Sequence, residues 1–193
     1  MKKYNTREKL LDIAFEEVYM NGYRATSVDT ILKRANVPKG SMYHYFKSKK
    51  ELVLATIKEK LYPKMDNFFN FSIKEESVLK SIEKLYITMS KNKMLVEYGC
   101  PLYRLMVELS ATDKDFDKIL TKKAIQMQND LSKLLQKGVD TKEFNKNLDT
   151  KEFAKFILNA TWGILSVSPT LSSSKNFIDQ SKYIIKQLKY YTK

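Results

Sequence analysis

The 193-residue chain holds one cysteine, one histidine, one tryptophan, five glycines and four prolines. A single cysteine excludes an internal disulfide. With His44 the only imidazole, there is no metal-ligand cluster to assemble, and no glycine-rich phosphate loop is present. Cys100 lacks a histidine nearby in sequence, so the nucleophile–base pattern of a hydrolase is missing as well; neither catalysis, a metal nor a cofactor is expected. No segment reaches the roughly 18 consecutive apolar residues that span a bilayer. Met1-Lys2-Lys3-Tyr4-Asn5 has no apolar core of secretory type, so a cytoplasmic protein with no membrane partner is expected.

Scarce glycine and proline, abundant Lys, Leu and Ile, and few stretches alternating with period two point to an all-α protein. Its 43% hydrophobic content over this length is enough for one or two compact domains. Charge is plentiful and lopsided: 35 Lys and Arg stand against 22 Asp and Glu, a net +13. A strongly basic balance favours a polyanionic partner, although a Lys-rich surface without one has the same composition. The first 60 residues are the denser positive segment, and from Thr30 to Lys50 there are six basic side chains (Lys33, Arg34, Lys39, Lys47, Lys49, Lys50) and no acidic one. Such a run attracts phosphates.

Leu11, Ala14, Phe15 and Val18 recur at helical spacing and predict an amphipathic helix over about 7–20, ended by a left-handed cap at Asn21-Gly22. Thr26-Ser27-Val28-Asp29 has the form of a capping box, and Val28, Ile31, Leu32 and Ala35 predict a short second helix. Asn36 tolerates the positive φ of a tight turn, and Pro38 suits the first turn of a third helix running to about Phe46. Ser48-Lys49-Lys50-Glu51 opens a fourth, which Pro63 is expected to end. Amphipathic segments near 75–91, 101–110, 113–137, 149–167 and 176–191 then read as a helical bundle, with the Ser172–Ser174 tract as a loop.

Two short helices joined by a tight turn behind a longer one have the elements of a helix-turn-helix. If Val28, Ile31, Leu32, Ala35, Val37 and Met42 pack the hairpin, the third helix presents Lys39, Ser41, Tyr43 and His44 outward. Those groups bond phosphates and base edges, and they are odd choices for a face with nothing to touch.

The continuous segment from Thr6-Arg7 through Leu10-Leu11-Asp12-Ile13-Ala14, Asn21-Gly22-Tyr23-Arg24-Ala25-Thr26-Ser27-Val28 and Val37-Pro38-Lys39-Gly40-Ser41-Met42-Tyr43-His44-Tyr45-Phe46 to Leu52 resembles the N-terminal signature of the tetracycline-repressor (TetR) family. The resemblance implies a DNA-binding domain over 4–64 and a helical ligand-binding and dimerisation domain over 65–193. It implies a homodimer joined through the last two helices, with double-stranded operator DNA, an inverted repeat, as partner. By position it makes Ser41, Tyr43 and His44 groove readers and Thr26, Ser27, Lys39, Tyr45 and Lys49 phosphate contacts, with Gly40 on the same surface. Leu32 and Asn36 depart from the alanine and glycine common in the family, without breaking the motif.

In the C-terminal part, Tyr98-Gly99-Cys100-Pro101-Leu102, with Glu108-Leu109-Ser110 and Asp115-Phe116, is similar to one subgroup of these regulators. Cys100 precedes an expected helix N-terminus, where amides and dipole lower a thiol pKa and would make it an oxidant or electrophile sensor; a small buried side chain at a turn is the other reading. Tyr86, Met89, Tyr103, Met106, Phe116, Met127, Phe156 and Trp162 are candidates to line a pocket for a small apolar or aromatic inducer of unknown identity, or else plain core. Phe153, Phe156, Ile157, Ala160 and Ile164 with Phe177, Ile184, Leu188 and Tyr191 form the stripes expected at the dimer surface. The expected function is a transcription repressor released by such a ligand or by thiol modification. The alternative is a basic helical protein binding nucleic acid or anionic surfaces without sequence preference.

Overall fold

The computed structural model describes residues 5–72, 77–171 and 173–192. Its elements are α1 Thr6–Ala25, α2 Val28–Ala35, α3 Lys39–Tyr45, α4 Lys49–Thr56, a π-helical turn Ile57–Leu61, α5 Tyr62–Ser72, α6 Val78–Lys91, α7 Lys93–Tyr98, α8 Pro101–Leu109, α9 Lys114–Asp140, α10 Thr150–Leu171 and α11 Ser174–Lys189. Among the described residues the one β-type pairing is an isolated bridge between Phe144 and Thr192, so the protein is all-α. No helix among them is long and apolar enough to cross a membrane. Glu75, the expected start of a helix, and Ser172 of the serine tract lie outside the described residues.

The chain divides into two compact units. The first, here the head, takes in the chain up to Asp66 together with Arg104–Leu120; the second comprises Asn67–Tyr103 and Thr121–Lys193. The end of α8 and the start of α9 thus pack with the head, which a single cut near residue 64 does not anticipate.

In the head, α1 packs on α2, α3, α4 and the π-helical turn. Leu10, Leu11, Ala14, Ile31, Leu32, Ala35, Val37, Met42, Phe46 and Leu52 form one buried cluster, with Val28 and Tyr45 against its edge. Helix α1 is broken at Gly22, whose φ of 82° and ψ of 170° are open only to glycine. The cap of α2 is Ser27, whose hydroxyl accepts from the Thr30 amide at 3.0 Å. The sequence pattern places it one residue earlier, at Thr26, but that hydroxyl is buried and donates to the Gly22 carbonyl at 2.7 Å. Asn36 is left-handed (φ 50°, ψ 51°) and turns the chain into Pro38, the extended residue that precedes α3.

Ser48 caps α4 by accepting from the Glu51 amide, and the Glu51 carboxylate reaches back to the Lys47 amide at 2.8 Å. Pro63 does not end this run. The Tyr62 amide bonds five residues back to the Ile57 carbonyl, and the helix passes through the proline into α5. A π-helical turn is invisible to a pattern of period 3.6, which is why α5 is not anticipated.

In the second unit α6 packs on α7 and α11, and α10 packs on α7 and α11. The α6 N-terminus is capped twice. Ser77 accepts from the Lys80 amide, and the Glu143 carboxylate accepts from the Ser77 hydroxyl (2.6 Å) and the amides of Val78 (2.7 Å) and Leu79 (2.8 Å). Desolvation pushes the Glu143 pKa up, but these donors outweigh it and hold the group below its ordinary value. Beside it the ring of Phe144 lies against Gly138, where a Cβ would meet ring carbons at 2.5 Å. Only glycine admits that ring.

Candidate nucleic-acid interface

Helix α3 is seven residues long, too short to be stable by itself. It is held by Met42, fully buried in the head core, and by Phe46 just past its end. With Met42 pinned inward, the neighbouring positions face elsewhere: Ser41 and Tyr45 are half-buried, and Tyr43 and His44 are exposed. Tyr45 leans on the core and meets the His44 ring edge-on at 4.9 Å. Gly40 is exposed, and a Cβ there would touch nothing within 4 Å. Lys39, also exposed, lies 3.5 Å from Asp29, a surface pair of little energy.

The basic run resolves into two sets. Lys33, Lys39 and Lys47 stay exposed. Arg34, itself exposed, and the half-buried Lys49 and Lys50 are engaged by other groups of the head. The Arg34 guanidinium bridges Glu17 and Glu16, both at 2.6 Å, and those bonds raise its pKa. Lys50 bridges Asp113 and Asp115 at 2.8 and 2.7 Å. The Lys49 ammonium donates to the carbonyls of Tyr23 (2.9 Å) and Thr26 (2.8 Å) above the Tyr23 ring, and burial lowers its pKa, partly offset by Glu108.

At two of the phosphate contacts carried over by position the side chain is engaged within the head. The Thr26 hydroxyl is buried, and the Lys49 ammonium is occupied by backbone carbonyls; what Lys49 presents at the start of α4 is backbone. Ser27 is exposed, but its hydroxyl caps α2. Lys33 and Lys47, counted in the sequence only as charge, are exposed, as Lys39 is. Their signal was the absence of any acid between Thr30 and Lys50.

The candidate ligand residues are divided between the two units. Met106 and Phe116 belong to the head, where Phe116 is fully buried and packs edge-on against Tyr23. In the second unit Tyr86 is buried, its hydroxyl 2.8 Å from that of Thr161, and its ring meets Phe177. Burial pushes its pKa far up. Met89 is buried and Met127 half-buried. Tyr103 and Trp162 stack, with centroids 5.2 Å apart. Phe156 is exposed. With Phe153, Ala160 and Ile164 of α10 and Tyr183 and Ile184 of α11 it lines an open groove of about 550 Å³. Phe177, Ile184 and Leu188, expected on that stripe, are buried; Tyr183, 66% exposed, is the large aromatic side chain that α11 shows to solvent.

Cys100 is buried immediately before α8. Burial pushes its thiol pKa up, and the Tyr103 and Leu102 amides and the Trp162 side chain only partly pull it back. The expected lowering by a helix N-terminus is thus overcome by desolvation.

A model described as bacterial regulatory proteins, tetR family, matches residues 10–56, and one described as a tetracyclin repressor-like C-terminal domain matches residues 77–179. The chain is 36% identical over 132 residues to a helix-turn-helix-type transcriptional regulator in the lacX 3' region of Lactococcus lactis, with 67% of this chain and 65% of that protein covered. It is 34% identical over 88 residues to a fatty acid metabolism regulator protein of Bacillus subtilis, with 46% and 44% covered. The chain thus spans less than two thirds of either relative. Among solved structures it is similar to regulatory protein TetR from Rhodobacter sphaeroides (TM-score 0.86, 21% identity, 94% and 97% of the chains). It is also similar to reduced NemR of E. coli (TM-score 0.82, 23% identity, 95% and 97%). With both parts matched and the second covering more than half its length, the chain belongs to the TetR family of bacterial regulatory proteins.

Proposed function

We propose that the protein is a sequence-specific regulator that binds double-stranded operator DNA as a homodimer and represses transcription until a small apolar or aromatic ligand, or modification of Cys100, lowers its affinity. The observation that carries this reading is α3: a short helix pinned by Met42 that turns Tyr43 and His44 to solvent, with Ser41 and Tyr45 beside them and exposed Lys33, Lys39 and Lys47 on the same hairpin and its flank. The one ion pair of Lys39, with Asp29, is a weak surface contact, and Tyr43 and His44 point to solvent. A duplex suits these outward groups, since hydroxyls, imidazole and ammonium bond base edges and phosphates, and the open space over Gly40 lets a backbone approach.

The groove on α10 and α11 supports the dimer. Phe156 and Tyr183 are large and exposed, which a monomer in water does not favour. A two-fold contact there joins two heads, which an inverted repeat with half-sites about 34–36 Å apart receives on one side of the duplex. Between the two release routes, the burial of Cys100 and its raised pKa favour a ligand. Selection of binding sites from a random duplex library tests the reading. An enriched inverted repeat supports it; steep salt dependence without enrichment supports a non-specific binder of polyanions instead.

A further inference from the structure

The turn from α1 into α2 is held from both of its polar edges. At Gly22 the backbone reverses, and the amides of Tyr23 and Arg24 converge on the Glu108 carboxylate, at 2.9 Å to Oε2 and 2.7 Å to Oε1. The carbonyls of Tyr23 and Thr26 accept from the Lys49 ammonium. One turn earlier on α8, Arg104 donates to the Tyr19 carbonyl at 2.8 Å. The fit is tight, since a Cβ at residue 22 would stand 2.8 Å from the Glu108 Oε2. Helix α8 itself gains nothing from this carboxylate: Glu108 is its penultimate residue, where the helix dipole repels an anion. The charge serves the turn, and the turn leads directly into Ser27, the cap of the first helix of the reading hairpin.

We propose that Glu108 is a positioning residue for operator binding: its carboxylate fixes the Gly22–Ser27 turn that sets the posture of α2 and α3. The proposal rests on the reading of the head as an operator binder. Without the carboxylate, two backbone donors lose a charged acceptor at once, and the turn that leads into the hairpin loses one of its two polar holds.

Charge and posture predict opposite signs for one variant. Removing a carboxylate from a DNA-binding unit strengthens binding if only repulsion of phosphates matters. If Glu108 positions the hairpin, removal weakens it. The full-length protein, Glu108→Gln and Gly22→Ala are titrated with the enriched duplex at fixed salt, reading both the Kd and the binding-competent fraction, while amide exchange is followed at Tyr23 and Arg24. The expected result for Glu108→Gln is an affinity loss of about ten- to a hundredfold in the competent fraction. Protection should fall at Tyr23 and Arg24. Gly22→Ala pushes on the same contact from the other side, so the two losses should be less than additive in the double variant. A Kd unchanged or tightened in Glu108→Gln overturns the proposal, including when the competent fraction is small, because a merely structural role removes molecules without altering the Kd of those left. Failure of the unaltered protein to enrich any duplex overturns the operator reading instead.

Discussion

Tyr43 in the head is 47% exposed on a helix of seven residues, whereas Tyr86 in the second unit is 3% exposed on a helix of fourteen, its hydroxyl bonded to Thr161. The two residues put the same chemistry to opposite use. In the head, short helices are fixed by side-chain caps, a left-handed Asn36 and one small core, and Tyr43 and His44 of α3 point out. In the second unit long helices cover one another, and Tyr86 and Trp162 point in, while Tyr183 stays exposed. Tyr43 is thus a candidate for recognition and Tyr86 a core residue with a satisfied hydroxyl, and burial separates them.

Truncation sharpens this comparison. Tyr86→Ala should cost about 3–5 kcal/mol of stability through the cavity and the broken Thr161 bond, measured by denaturant melts, whereas Tyr86→Phe should cost only about 1 kcal/mol. Tyr43→Ala should leave stability within about 0.5 kcal/mol. Its effect falls on DNA, with operator affinity reduced by about 1–3 kcal/mol in a titration. Unchanged operator binding by Tyr43→Ala together with that of His44→Ala would erase the distinction between the units. Phe156→Glu on the α10–α11 groove places a charge on the proposed dimer surface, and sedimentation should find monomers of unchanged helicity.

A smaller effect follows from Glu143. Its pKa lies below the ordinary value of 4.5, so the folded state holds fewer protons than the unfolded chain in that range, and its contribution is complete above about pH 4.5. That contribution is lost as pH falls through the lowered value. Acid unfolding of Glu143→Gln should therefore be shallower in that window, after a loss of about 1–2 kcal/mol at neutral pH. Cys100→Ser should matter least. Stability should change by no more than about 1 kcal/mol, and unchanged release by electrophiles would remove thiol modification from the mechanism.

Much of the head was legible because its signals are local. Ser48 with Glu51 and Asn36 before Pro38 each act within four residues and are found in the expected conformation, whereas the left-handed cap expected at Asn21-Gly22 is instead a kink at Gly22 (φ 82°, ψ 170°), with the helix continuing to Ala25. The roles of Lys49, Lys50 and Glu108 were not legible, because their partners are 23 to 85 residues away, on the turn from α1 into α2 and at the start of α9. Glu108 left one trace, an acid at the wrong end of its helix. In the second unit, periodicity gave the helices but not which face was covered, so Phe177 of the expected stripe is buried and Tyr183, which had no assigned role, is exposed.

The central claim is that the outward face of α3 reads base sequence. Affinity for the enriched duplex and for a scrambled one of equal length, titrated across a range of salt, tests it most directly. The account predicts a preference of about a thousandfold or more for the enriched duplex, retained at physiological salt, with two protomers bound per repeat. Equal affinities that fall together with salt would contradict it and leave the basic hairpin as a non-specific phosphate binder.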